Sequence, residues 1–517
     1  MAIDCSRLSP FIEATAAWRG TNADADAART RAWSERVGSS LADIAELEQA
    51  LALADPISVP PSAIPIAPTA GVAAADGDVS VLAAAVRSGR SRAVDVAQAA
   101  LDRAHAAVAL NAFTALDAAD VLRQAEALDV AIARGIDPGP LAGVPVAIKD
   151  LMPVRGYRMS GGTLAREPVP ATNDAPVVAR LRAAGAIIFG TANLHELAYG
   201  VTSANPHFGA VVNPRHPAHV PGGSSGGSAA IVAAGIAPLA IGTDTGGSIR
   251  IPAACCGIVG FKPSYGMVDK TGAMPLAWSL DHIGPIAGSV ADAALMFEVL
   301  AGWPAGRAGA APASPPKLRF VGGFFREEVQ PGVLAAADRA AERLGRNGAR
   351  IDAIDIPAMA LAPGAQFVTL CSEATQANWE TLRTGADKLG ADVRLRLEIG
   401  QFFLGMDYVK AQRSRRDLLD ACVVALGDAD VLITPTLPCV APPAGAATHE
   451  IAGRIVPVAA RLTRFTGPFN LTGLPALSLV CGTDDAGLPV GLQIVGRPGA
   501  DAIVLSVGRW IEEALEP

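Results

Sequence analysis

Two clusters of glycine and serine constrain the fold of this 517-residue chain most strongly. They are PGGSSGG (221–227) and TGGS (245–248), and they enclose the apolar run SAAIVAAGIAPLAIG (228–242). A flexible linker does not carry apolar helix and strand material, so the linker interpretation fails. A phosphate-binding loop is also excluded, because GxxxxGK[ST] is absent and neither cluster contains a lysine. The segment therefore predicts buried elements between two glycine turns, whose serines become candidate catalytic residues.

Short apolar strands alternate with helices along most of the chain. AIIFGTAN (186–193) follows the helical stretch VVARLRAAG (177–185), and LRFVGGFF (318–325) precedes a helix around VLAAADRAAERLG (333–345). This alternation predicts an α/β fold with a central, twisted, mixed but mainly parallel sheet covered by helices. We assign residues 71–517 to one large domain of this kind.

The first 70 residues are predicted to form a separate helical extension followed by a linker. Leu41, Ile44, Leu47 and Leu51 recur at helical spacing, and the segment 56–68 contains five prolines that no helix tolerates. The extension could serve in dimerisation, as a lid or as a packing appendage. The sequence does not choose among these three.

The charge, cysteine and histidine content excludes several classes of protein. The net charge is −8 and no dense run of Lys and Arg occurs, which argues against a nucleic-acid partner. None of the seven cysteines forms a CxxC, and His216 and His219 lie in a proline-containing loop without further ligands nearby, so we expect no metal. Apolar runs are interrupted by Gly and Pro, and the first 20 residues carry acids where a signal peptide is apolar. We therefore expect a cytoplasmic protein without a membrane span.

One interpretation makes Ser224 the nucleophile. GGSSG matches GxSxG, the strand-to-helix turn that carries the nucleophile of α/β-hydrolases. That motif needs a strand directly before it, whereas NPRHPAHVP (213–221) contains three prolines. It also needs a late histidine, and His449 alone follows His282. The sequence therefore disfavours this interpretation.

The position of a lysine in the sequence indicates different roles for the two serines. Lys149, in GVPVAIKD, lies 75 positions before Ser224 (224 − 149), and Ser248, in GTDTGGSIR, lies 24 positions after it (248 − 224). These motifs and spacings resemble the amidase signature family of serine hydrolases. The flanking segments FGTANLHELAYG, IPAACCGIVGFKPSYG, SLDHIGPIA and PFNLTGLPALSLVCG extend the resemblance over residues 79–517.

The resemblance implies a triad and its chemistry. Ser248 would be the nucleophile, Ser224 would pass on its proton, and Lys149 would receive it. The lysine must then be neutral at rest, which requires a pKa about three units below the usual value of ~10.4, and burial behind the apolar PVAI run is the expected cause. The backbone amides of Thr245, Gly246, Gly247 and Ser248 would stabilise the oxyanion. No metal or organic cofactor is implied.

The resemblance also implies supporting residues and a cis peptide bond before Ser224. Asp244, Arg250 and Asp281 are expected to pair and hold the nucleophile loop, and Ser225 is expected to steady the relay. By family position, residues that could line the substrate pocket are Met159, Ser160, Gly161, Tyr199 and Trp278.

The substrate is less defined. A small-molecule amide, cleaved to release ammonia or an amine, is the leading expectation, and a homodimer is one option for assembly. Two alternatives stay open: a hydrolase of ureides or carbamates such as biuret-type compounds, and the glutamine-cleaving component of a glutamine-dependent tRNA amidotransferase. The first is suggested by CSEATQANWE (371–380) and YVKAQRSRR (408–416). Against the second, Thr463 and Arg464 occupy the place where that component carries an acid.

Overall fold

The computed structural model describes residues 78–451 and 453–516. The predicted N-terminal helices and proline-rich linker, residues 1–70, lie outside the described residues. No helix within the described ranges is both long enough and apolar enough to cross a membrane.

The strands of the described chain form one large sheet and two short ribbons. Their bounds are β1 Phe113–Ala115, β2 Pro145–Lys149, β3 Ile187–Ala192, β4 Ala204–Asn205, β5 Gly209–Ala210, β6 Leu239–Asp244, β7 Val259–Lys262, β8 His282–Ala287, β9 Lys317–Val321, β10 Arg350–Ile354, β11 Val431–Pro435, β12 Thr448–Ile451, β13 Arg454–Pro457, β14 Ala476–Thr483 and β15 Pro489–Val495.

Helices precede, connect and follow these strands. Their bounds are α1 Asp78–Arg87, α2 Ala93–Ala106, α3 Ala118–Ala133, α4 Pro176–Ala183, α5 Gly226–Ala233, α6 Arg250–Cys256, α7 Val290–Ala301, α8 Pro331–Arg346, α9 Ala362–Ala377, α10 Trp379–Gly385, α11 Ala391–Ile399, α12 Gly405–Leu426, α13 Val458–Thr463, α14 Gly467–Leu471 and α15 Asp501–Leu515.

The large sheet has eleven described strands in the order β1-β3-β2-β6-β8-β7-β14-β15-β11-β9-β10. Two blocks, β3-β2-β6 and β11-β9-β10, are parallel. The other neighbours pair antiparallel. The predicted mixed sheet covered by helices is confirmed, but it is less parallel than the strand–helix alternation indicated. For one of these pairs the reason is local: residues 484–487 form a tight turn between β14 and β15, and so short a link permits only antiparallel pairing.

The sheet is buried on both faces. On its central strands, Leu477 and Leu492 face one apolar cluster, whereas Ala476 and Val495 face a second. This alternation follows from the two-residue period of a strand. It explains why β2, β3 and β6 are buried along their whole length and consist mostly of apolar residues.

The ends of β2 and β6 lie side by side and create the place for a site. The two strands run parallel, with Ile148 opposite Ile241. Lys149 and Asp244, which end these strands, therefore lie at the same edge of the sheet. Helix α5 packs on both strands. Ser224 and Ser225 immediately precede that helix, and the fold brings them to the same edge.

Candidate active site

Lys149 is fully buried and is surrounded by hydroxyl groups. Its Nζ lies 2.7 Å from Ser224 Oγ, 2.9 Å from Ser225 Oγ and 2.8 Å from Thr243 Oγ1. Across the described residues, no carboxylate lies within ion-pair distance of this amine. A role as the structural partner of a buried acid is therefore excluded.

The environment favours the neutral amine. Burial lowers the pKa of Lys149 from 10.5 to about 7, and the negative charges of Asp244 and Asp281 only partly oppose that effect. A neutral amine has two N–H donors and one lone pair, so one of the three hydroxyls must donate to it. Ser225 Oγ already donates to the carbonyl of Thr243 at 3.2 Å. The donor is therefore the hydroxyl of Ser224 or Thr243.

This electrostatic state gives a pH prediction. The amine can accept a proton only when neutral, and the neutral fraction rises with pH through the pKa of about 7. We expect kcat/KM for an uncharged amide to rise about tenfold per pH unit below that point and to level off above it. Initial rates between pH 5.5 and 9 measure this profile. A profile that is flat or falls across pH 7 would show that a neutral Lys149 is not required.

The backbone segments of Ser224 and Ser248, the two serines expected to form the relay, are joined by a hydrogen bond. A cis peptide bond joins Gly223 and Ser224, as the resemblance implies. The Ser225 amide donates to the Ser248 carbonyl at 3.3 Å. Within the described chain, the Ser248 hydroxyl makes no hydrogen bond, so it is not bonded to the Ser224 hydroxyl in the free protein. Such contacts often tighten only when substrate is bound.

The backbone of the nucleophile loop is held by its carbonyl groups. Each of three successive carbonyls accepts one hydrogen bond: Thr245 O from Gln366 Nε2 at 3.1 Å, Gly246 O from Thr466 Oγ1 at 2.6 Å, and Gly247 O from Ile251 N at 2.6 Å. A trans peptide directs its N–H opposite to its carbonyl. The direction of each following amide is therefore fixed as well.

The amides of this loop are not equivalent. The Gly247 N–H donates to Asp244 Oδ1 at 2.8 Å, so it is already used. The amides of Gly246 and Ser248 have no partner within the described residues. Of the expected oxyanion donors, the amides of Thr245, Gly246 and Ser248 therefore remain, since that of Thr245 also has no partner within the described residues, and Gly247 serves the loop instead. Gly247 has φ +131°, and a Cβ there would overlap the Thr466 hydroxyl, which explains the glycine.

Asp244 and Arg250 form the expected buried pair. Arg250 Nη2 donates to Asp244 Oδ1 at 2.9 Å and its Nε to Oδ2 at 3.0 Å, with both side chains fully buried. Burial opposes ionisation of Asp244, but the Arg250 guanidinium outweighs it and holds the pKa of this carboxyl well below its usual range. Three further acceptors take Arg250 donors: Thr466 O, Gln493 Oε1 and Asn470 Oδ1. The pair locks the loop to the sheet.

Asp281 does not join this pair, contrary to the expectation. It accepts from the Thr245 hydroxyl at 2.6 Å and from the amides of Leu276 and Ala277. Burial raises the pKa of Asp281, and these hydrogen bonds oppose the rise. The aspartate thus holds the other side of the nucleophile loop, because the chain turns between Leu276 and Asp281 and directs the carboxylate to Thr245.

A cavity of about 180 Å³ lies beside the loop; Thr243 and Thr245 line it, whereas Lys149, Ser224 and Ser248 do not. Thr243 and Thr245 form its inner wall, and Trp278, which is 44% exposed, lies at its mouth. The remaining lining residues are Leu151, Ala198, Lys270, Ala273, Met274, Pro275, Leu276, Asp281, His282 and Ile283. The cavity is apolar for the most part, with Lys270 and Asp281 as its charged groups.

Of the pocket residues expected from the sequence, Trp278 lines this cavity and the others do not. Gly161 packs behind it against Met274. Ser160 holds Asp150 through its hydroxyl and amide. Tyr199 is buried and donates to Cys371 Sγ at 3.2 Å, and Met159 is half-buried.

Sequence reasoning missed two residues of the site. Thr243 is the third hydroxyl on Lys149, and its place in GTDTGGS, five residues before Ser248, was the available signal. Gln366 contacts the loop from α9, more than a hundred residues further along the chain, and nothing in the sequence marks it. Within the described ranges, no group of three or more His, Cys, Asp or Glu side chains could hold a metal ion.

Comparison with known proteins agrees with this geometry. A sequence model of the Amidase family matches residues 95–505. A glutamyl-tRNA(Gln) amidotransferase component from Symbiobacterium thermophilum is 38% identical over 460 residues, which cover 81% of this chain and 93% of that protein.

Two further relatives cover most of the chain. AtzE of the 1-carboxybiuret hydrolase from Pseudomonas sp. (strain ADP) is 34% identical over 450 residues, which cover 83% of this chain and 96% of that protein. A crystal structure of an amidase superimposes with a TM-score of 0.81 at 36% identity, covering 85% of this chain and all of that one.

Proposed function

The chain belongs to the Amidase family of hydrolases, which act on carbon–nitrogen bonds in amides, and from this premise we propose that it hydrolyses a small-molecule amide through an acyl-enzyme on Ser248. One observation carries the proposal: a fully buried lysine, with its pKa lowered to about 7, contacts the Ser224 hydroxyl at 2.7 Å beside the Ser248 loop. This is the arrangement that a serine nucleophile needs when no histidine is present.

In the proposed reaction, Ser248 Oγ attacks the amide carbonyl. Its proton moves to Ser224, whose own proton moves to the neutral Lys149 amine. The oxyanion of the tetrahedral intermediate accepts hydrogen bonds from the free amides of Gly246 and Ser248. As the carbon–nitrogen bond breaks, the leaving nitrogen takes the proton back along the same path and departs as ammonia or an amine. Water then hydrolyses the ester on Ser248, with Lys149 again as the base.

The cavity supports a small substrate. Its volume of about 180 Å³ lies below the roughly 300–1,000 Å³ typical of sites for drug-sized ligands. Its walls are mainly apolar, which suits the acyl part of a simple amide. Lys270 and Asp281 add one charged group of each sign to the lining.

The site favours a stand-alone amidase over a component of an amidotransferase. The resemblance places an acid at or near Thr463 in the amidotransferase component, to hold the amino group of glutamine. Here the Thr463 methyl lies beside Gly246, and the Arg464 guanidinium lies 4.1 Å from the centre of the Phe324 ring. Neither offers a carboxylate. Hydrolysis of a ureide or carbamate remains the second candidate, because the AtzE relative matches over most of both chains.

The test uses the protein purified alone. We expect release of ammonia or an amine from at least one member of a panel of aliphatic amides, anilides, ureides and carbamates. The variant Ser248→Ala, prepared in parallel, should release none. Activity on glutamine that needs an added partner protein would favour the amidotransferase instead. Hydrolysis by the Ser248→Ala variant at the wild-type rate would overturn the proposal.

A further inference from the structure

Gln366 contacts the nucleophile loop from a separate part of the fold. It lies on α9 and is 8% exposed. Its Nε2 donates to the Thr245 carbonyl at 3.1 Å and packs against Gly246, whose added Cβ would lie 3.2 Å away. The backbone of Gly467, at the start of α14, closes the other side of this side chain. Gln366 is thus held between α14 and the loop that carries Ser248.

This contact fixes the direction of one amide. Thr245 O and Gly246 N–H belong to the same trans peptide, so they point in opposite directions. With the carbonyl held by Gln366, the Gly246 N–H faces away from α9. In the next peptide, which joins Gly246 to Gly247, the carbonyl accepts a hydrogen bond from Thr466 and the amide donates one to Asp244. Across the described residues, Gln366 alone donates a hydrogen bond to the Thr245–Gly246 peptide.

The other half of the Gln366 amide is unsatisfied. Its Oε1 is buried and has no hydrogen-bond partner in the described chain. Turning the amide over would place Oε1 against the Thr245 carbonyl, so that two acceptors would face each other and the donor would be lost. A buried polar atom without a partner destabilises the folded state. By contrast, both ends of the Gln124 amide on α3 are satisfied.

We propose that Gln366 is a positioning residue for the oxyanion: it orients the Gly246 amide toward the reacting carbonyl. The inference rests on the proposed amide hydrolysis at Ser248. It adds to that function a residue which acts through the backbone and does not touch the substrate.

The test replaces Gln366 with methionine, which has a similar length but no amide. Without the hydrogen bond the Gly246 amide is no longer aimed, and we expect kcat/KM to fall about 10- to 100-fold, mainly in kcat with KM little changed. A boronic acid that forms a tetrahedral adduct on Ser248 should lose affinity by a similar factor. The variant removes the unsatisfied Oε1 but also leaves the buried Thr245 carbonyl without its donor, so the two effects on stability oppose each other and the Tm should change little.

Two further variants make the result specific. Gln366→Glu keeps the volume but faces a carboxylate toward the Thr245 carbonyl, so its loss of kcat should be larger. Gln124→Met removes a glutamine on α3 whose amide makes four hydrogen bonds, two of them with the Ile188 backbone on β3. That variant should lower the Tm and leave kcat/KM of the folded protein unchanged.

The outcomes separate this inference from the proposed function. If wild-type and Gln124→Met proteins hydrolyse amides and Gln366→Met does so within twofold of them, the positioning role is wrong while the function stands. A Gln366→Met protein whose loss of activity was fully explained by its loss of folded protein, with kcat per folded molecule unchanged, would also contradict the inference. If the wild type itself hydrolyses no amide, the proposed function fails first.

Discussion

Replacing Lys149 with methionine is expected to lower kcat/KM by ~10⁴-fold or more at pH 8, because the base that removes the Ser248 proton is lost. Methionine fills the same buried space with an unbranched apolar chain, so the fold should persist. The Nζ contacts the hydroxyls of Ser224, Ser225 and Thr243, and the variant leaves these hydroxyls to bond one another. Initial rates on the best substrate from the amide panel measure the effect.

A second buried lysine provides a matched control. Lys262 is also fully buried, but its Nζ donates to the carbonyls of Leu474 and Pro263, and it touches none of the three serines of the site. Lys262→Met should lower the Tm and still retain far more activity per folded molecule than Lys149→Met. Equal activity in Lys149→Met and wild-type protein would exclude the lysine as the base.

Replacing Ser248 with alanine is expected to abolish hydrolysis, by at least ~10⁴-fold in kcat/KM, because no other group can form the acyl-enzyme. The side chain makes no hydrogen bond in the described structure, so its removal should leave the Tm within about one degree of the wild-type value. The rate and the melting curve, measured on the same preparation, separate lost chemistry from lost folding.

Two serines of the neighbouring helix segment test this assignment. Ser224→Ala should keep a small residual activity, because water or the lysine itself can take the proton less efficiently. Ser228 donates to the carbonyl of Ile241 and is not among the hydroxyls that contact Lys149, so Ser228→Ala should hydrolyse amides as the wild type does. If Ser224→Ala were as inactive as expected for Ser248→Ala while Ser248→Ala kept residual activity, the two roles would be reversed.

The sequence was sufficient for the family and the mixed sheet because these depend on local patterns. Lys149, Ser224 and Ser248 each stand in a short motif, and the β2 and β6 strands are continuous apolar runs. The directions of several strands were harder to predict. The turn at residues 484–487 gives β14 and β15 an antiparallel pairing that the alternation of strands and helices does not encode.

The details of the site depended on contacts that no motif records. The Gly247 amide was expected to face the oxyanion, but Asp244, three residues earlier, accepts it. Asp281 was expected to pair with Arg250, but the turn before it directs its carboxylate to Thr245. Gln366 reaches the loop only because α9 packs against α14. Such contacts follow from the packing of the whole domain, and they cannot be predicted from the spacing of residues along the chain.

The most direct test of the account is the identity of the acylated residue. Wild-type protein mixed with an anilide substrate is quenched in acid within one turnover, digested and analysed by mass spectrometry. At pH 8, we predict that the mass of Ser248 in the wild-type protein is increased by that of the acyl group. The Lys149→Met protein should show no such increase. An acyl group on Ser224, or full turnover with no acylated serine at any quench time, would contradict the account.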